Sequence, residues 1–153
     1  MRMRSNTRKK EKRNLWLVAA VIWTIVIWSN SLRPATASVH QSMQVMEFLA
    51  PVLGPIFAVI GQAGTHTVLR KLAHMTEFAV GGLCWTLGLC RLGDRRASMD
   101  ALGLCLCTAL LDETIQLFVP GRGGMIPDVW IDLSGAVVAV ILTSHVFRRW
   151  KQM

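Results

Sequence analysis

Tyrosine is absent from the 153 residues, and the chain carries only nine acidic side chains against seventeen basic ones. No HExxH and no GxSxG occurs, which removes the helix of the zinc proteases and the nucleophile elbow of the α/β-hydrolases. None of the four cysteines (Cys84, Cys90, Cys105, Cys107) stands at CxxC spacing. A local zinc site or redox pair is therefore excluded, and the four read as small apolar packing residues. There is no internal repeat and no low-complexity segment beyond a basic N-terminal tail.

What is present is apolar and basic at once. Hydrophobic residues make up 52% of the chain, the net charge is +8, and the mean hydropathy is +0.41. The apolar residues come in blocks, which argues against a disordered chain and against a simple nucleic-acid binder. The composition is that of a membrane protein. Four stretches approach the ~20 residues that cross a bilayer as helix: residues 15–29, 72–92, 99–119 and 129–147. The expected fold is all-α: a four-transmembrane-helix bundle over residues 15–150, preceded by a basic tail at residues 1–14.

The basic residues orient the bundle. Thirteen of the seventeen lie in the tail, between spans two and three (Arg91, Arg95, Arg96), or after span four (Arg148, Arg149, Lys151). Arg33, Arg70, Lys71 and Arg122 make up the other side. The positive-inside rule then places both termini in the cytoplasm of a multi-pass cell-membrane protein. The first apolar stretch reads as an uncleaved anchor rather than a signal peptide, and the tail as a contact for anionic lipid. Residues 31–69 form the longest segment without an assigned span. Pro51, Gly54 and Pro55 interrupt its apolar part, and an outer interfacial or re-entrant helix pair is expected between helices one and two.

Polar residues collect near the outer ends of three spans. Arg70, His74 and Glu77 fall at i, i+4 and i+7, on one helix face, with Lys71 three residues before His74. Asp112 and Gln116 share a face, as do Glu113 and Gln116 at i and i+3. Asp128 and Asp132 open the fourth span at i and i+4. At ~1.5 Å of rise per residue these groups lie roughly 5–12 Å below the outer boundary. Charge at that depth is costly and should face inward. The expected polar cluster is Arg70, Lys71, His74, Glu77, Asp112, Glu113, Gln116, Arg122, Asp128 and Asp132. Arg122 stands in the turn GRGG, where a guanidinium can grip a phosphate or carboxylate through two parallel hydrogen bonds. Because Asp112 and Glu113 point about 100° apart, Asp112 is favoured for the cavity and Glu113 for a supporting position.

Three blocks carry a family resemblance: WSNSLRP (residues 28–34), RKLAHMTEF (residues 70–78) and LLDETIQLFVPGRGGMIPDVWIDLSGA (residues 110–136). Together they resemble the VanZ family of small bacterial membrane proteins. Met75, Phe78 and Ala139 depart from that pattern, where Phe, Tyr and Gly respectively are usual. The resemblance implies an integral membrane protein linked to the cell envelope. The name-giving member is associated with low-level resistance to the glycopeptide teicoplanin, and antibiotic resistance is the physiological theme the resemblance brings.

Three functions are compatible with these residues. An outward-facing polar site can bind or move an anionic envelope lipid or cell-wall glycan, or alter glycopeptide access. One His and several carboxylates can also hold a divalent metal for a hydrolase or transferase acting on a lipid headgroup, although no cofactor is required by the pattern. The third function is a structural or partner subunit, in which the polar residues glue helices together. The lipid bilayer is the one partner common to all three, and nucleic acid is not expected.

Overall fold

The computed structural model describes the backbone of residues 2–152 and the side chains of residues 15–150. The side chains of the basic tail therefore lie outside the described residues. Five helices follow one another: α1 (Arg2–Ser31), α2 (Ala35–Ile60), α3 (Gln62–Leu92), α4 (Ala97–Gln116) and α5 (Ile126–Gln152). There is no strand among the described residues.

The helix ends follow from backbone chemistry. Pro34 disfavours helical geometry in the residue before it and precedes α2. Gly61 adopts φ 76° between α2 and α3. Gly93 closes α3 in the left-handed conformation, its N–H donating to the Cys90 carbonyl. Pro127 stands in the first turn of α5, where its missing N–H costs nothing.

By length and composition, α2 and residues Ile126–Trp150 of α5 qualify as membrane spans, while the apolar part of α1, Leu15–Ser31, is shorter. Expected spans two and three lie in α3 and α4, whose apolar runs are broken by the polar residues of the expected cluster. The segment expected to fold as an interfacial or re-entrant helix pair holds one 26-residue helix, α2, which runs through Pro51 and Pro55, and, past Gly61, the first turns of α3. A proline in a helix removes one hydrogen bond and kinks the axis, and here the helix continues past both. No residue of α2 is buried. Phe48, Val52 and Val59 are each about four-fifths exposed, an apolar surface suited to lipid.

Helix α3 touches each of the other four, and its broadest contact is with α5. Close approach there depends on Gly135, where an added Cβ would collide with the Met75 carbonyl. A small core of Ile27, Phe78, Cys105, Ala109, Val129 and Ala136 fills the centre, with Trp23, Trp28 and Trp85 packed against it. Helix α1 is tied in by its indoles: Trp23 donates to the Glu77 carbonyl at 2.8 Å and Trp28 to the Thr108 carbonyl at 3.3 Å. Cys84 and Cys105 are buried, and Cys107 is exposed.

Candidate functional site

The polar ends of α1, α3, α4 and α5 meet. On α3, His74 faces two carboxylates from different helices. Its Nδ1 lies 3.5 Å from Asp132 Oδ1 and 3.9 Å from Asp112 Oδ2. Both aspartate residues are wholly buried. The Ser31 hydroxyl donates to Asp112 Oδ1 at 2.5 Å, and the Gln116 amide donates to Oδ2 at 2.9 Å. Asp132 is treated differently: its Oδ1 meets only the His74 imidazole, and its Oδ2 has no hydrogen-bond partner.

One turn outward, the arrangement changes. Asp128 lies 3.9 Å from Arg70 and 3.7 Å from Lys71, both of which are more than a third exposed. One turn inward from His74, Glu77 accepts a hydrogen bond from Asn30 at 2.8 Å. Glu113 turns to the loop between α4 and α5, where Oε2 accepts the Met125 backbone N–H at 2.7 Å, and Gln116 reaches its Oε1 at 3.3 Å. That loop can lie so close because residue 124 is glycine: a Cβ there would strike the Glu113 carbonyl. Gly121, at φ 75°, makes the turn that presents Arg122.

The ten expected residues therefore divide into groups. His74, Asp112 and Asp132 form one centre supported by Gln116, and Asp128 pairs with Arg70 and Lys71. Glu113 braces the loop. Arg70, His74, Glu77 and Arg122 line a cavity of about 540 Å³ between α1, α2 and α3. Ser38, Gln41 and Ser42 of α2 add neutral polar groups to its wall, and Leu72 and Val80 add apolar surface. Arg122 has its Nε buried without a partner. Burial and then the charge of Arg70 lower its pKa, but a guanidinium stays protonated throughout.

Counting ionisable groups on spans missed two residues, Asn30 and Ser31. Both are neutral, and both bond to the carboxylates of the cluster from the end of α1. The signal was the SNS of WSNSLRP, polar residues at the same level as the charged set.

The arrangement joins a basic cavity to a buried group of one imidazole and two carboxylates. It can bind an anion, hold a cation, or do both side by side. The family model described as VanZ/LLP1 matches residues 16–148. No curated protein and no solved structure matches the chain.

Proposed function

The chain belongs to the VanZ/LLP1 family, and from that premise we propose that it is a cell-envelope membrane protein that binds the phosphate of an anionic lipid headgroup. The reading rests on Arg70 and Arg122 lining one cavity from different parts of the chain. Guanidinium groups grip phosphate oxygens in a fixed, forked geometry. Arg122 is kept for a ligand by its buried, unpartnered Nε, because leaving such a donor unpaired is costly. Apolar Leu72 and Val80 on the same wall suit the acyl chains that accompany a lipid headgroup. The excess of Lys and Arg at the opposite ends of α3 and α5 supports a cavity that faces the outer leaflet, with α1, α3, α4 and α5 crossing the bilayer, α2 lying outside it, and both termini cytoplasmic. Holding or moving an anionic lipid there would change the surface that a glycopeptide antibiotic meets.

The test is binding of phosphatidylglycerol by the purified protein in nanodiscs, compared with phosphatidylcholine. Arg122→Gln should weaken phosphatidylglycerol binding by about tenfold or more, since a charge-assisted hydrogen bond is worth ~1.5–3 kcal/mol. Equal affinity for both lipids, unchanged by Arg122→Gln, would overturn the reading. A phosphorylated cell-wall glycan presents the same anion without acyl chains. Competition by a soluble sugar phosphate at equal concentration would shift the assignment to that ligand.

The group of His74, Asp112 and Asp132 favours a second reading, a hydrolase or transferase acting on the bound headgroup. Release of a water-soluble phosphate product from labelled phosphatidylglycerol, abolished in Asp132→Asn, would support it.

A further inference from the structure

We propose that His74 Nδ1, Asp112 Oδ2 and a carboxylate oxygen of Asp132 form a binding site for one divalent transition-metal ion. The site goes beyond anion binding by the cavity and does not depend on it.

Geometry comes first. One ligand atom from each of the three residues can be chosen so that all lie within 4.8 Å of one another. The two distances from Nδ1 are 3.5 and 3.9 Å. Ligands bound at ~2.0–2.2 Å around a tetrahedral ion stand about 3.4 Å apart. Only small movements would bring these atoms onto one centre. The three residues come from α3, α4 and α5, so the packed helices hold the ligands at fixed positions.

Hydrogen bonding is the second observation. Asp132 is wholly buried, yet its Oδ1 meets only His74 Nδ1, at 3.5 Å, and its Oδ2 has no hydrogen-bond partner. Native proteins rarely leave a carboxylate oxygen buried and unpaired. Asp112, by contrast, is held by Ser31 and Gln116. Fixing a ligating carboxylate with outer hydrogen bonds is how proteins orient metal ligands.

Charge is the third. Two buried carboxylates lie against one imidazole. Of the nearby cations, Arg70 and Lys71 are paired with Asp128, and Arg122 acts on Asp112 through its charge without forming an ion pair with it. A divalent ion would balance both aspartates in a medium where uncompensated charge is costly. The neighbouring carboxylates are otherwise engaged: Glu77 with Asn30, and Glu113 with the Met125 N–H. This narrows the ligand set to three.

Imidazole among the donors points to zinc, manganese or iron(II) rather than calcium, which takes six to eight oxygens. Three protein ligands leave at least one coordination position open. His74 also lines the cavity, so a phosphate oxygen of the headgroup proposed above could take that position. This last extension alone rests on the lipid reading.

The test uses the full chain, carrying no polyhistidine tag, in detergent micelles and without added lipid. The protein is dialysed against zinc and then against metal-free buffer, and its metal content is measured. In parallel, the apoprotein is titrated with cobalt(II) and followed by visible absorbance. Wild type should retain about one ion per chain and show the intense bands of a four- or five-coordinate cobalt site. Asp132→Asn and His74→Gln should each fall below about a tenth of an ion, whereas Glu47→Gln, on exposed α2, should retain the full complement. If Asp132→Asn fails to fold, His74→Gln and the wild-type cobalt spectrum carry the test. The proposal is overturned if monodisperse wild type retains less than a tenth of an ion and shows no cobalt bands. It is also overturned if a folded His74→Gln or Asp132→Asn variant holds as much metal as wild type. Either result would leave a protonated His74 pairing with two aspartates as the account of the cluster. Because no lipid is present, failure here leaves the phosphatidylglycerol experiment untouched.

Discussion

Two levels of the same helices solve the problem of charge in opposite ways. At the outer level, Asp128 of α5 meets Arg70 and Lys71 of α3, with distances of 3.9 and 3.7 Å and cations more than a third exposed. One turn inward on both helices, Asp132 meets His74, joined by Asp112, and both aspartates are wholly buried. The outer group has more cations than anions and access to solvent. The inner group has two carboxylates against one imidazole, and no solvent reaches either aspartate. A single helical turn separates an ordinary ion pair from a centre whose charges are not balanced by its own residues. Outer charge can be screened, whereas inner charge needs a specific partner.

The most severe way to break this comparison is to destroy the register of α3 against α5, which creates both levels. Gly135→Leu should do so, because the new side chain must enter the space of the Met75 carbonyl. Ordinary overpacking costs about 1–3 kcal/mol, and backbone cannot swing aside as a side chain can. The expected outcome is loss of most monodisperse protein in size-exclusion chromatography, with Gly135→Ala intermediate.

Asp132→Asn should leave folded yield intact while lowering metal affinity at least ~100-fold. In the presence of chelator, its melting temperature should equal or exceed that of wild type, because one uncompensated buried charge is gone. A fall corresponding to ~3–5 kcal/mol would instead mark a broken buried ion pair, and would erase the difference between the two levels.

Ser31→Ala sharpens the comparison from a neutral side chain. Its hydroxyl orients Asp112 at 2.5 Å, so its removal should cost roughly 10–100-fold in metal affinity, read in the same cobalt titration.

The smallest effect belongs to the outer level. Asp128→Asn should change thermal stability by less than ~1 kcal/mol, and that change should shrink further in high salt.

Much of the fold and part of the site were legible before any coordinates. The apolar blocks announced helices in a membrane, and RKLAHMTEF with LLDETIQLFVPGRGGMIPDVWIDLSGA pointed to the family that the 16–148 match establishes. Less legible was α2. Pro51 and Pro55 read as interruptions, yet one helix passes both, because a proline disturbs one turn locally while the apolar residues on either side still favour helix. Neutral Asn30 and Ser31 were passed over because a search for charge does not register the residues that orient it.

The sequence by itself determined which side chains share a helix face, since the 3.6-residue repeat depends on nothing else. Arg70, His74 and Glu77 had to align, and Asp112 and Glu113 had to diverge. It also determined that the chain is helical and apolar, because each backbone group in lipid must find its partner within the helix. Tertiary structure alone decided which carboxylates meet. Asp112 and Asp132 face His74, while Glu113 reaches the Met125 N–H and Asp128 reaches Arg70 and Lys71. That choice depends on the rotation and register of each helix about its neighbours. Those are set by contacts distant in sequence, among them Gly124 beneath the Glu113 carbonyl and Gly135 against the Met75 carbonyl, and no local pattern encodes them.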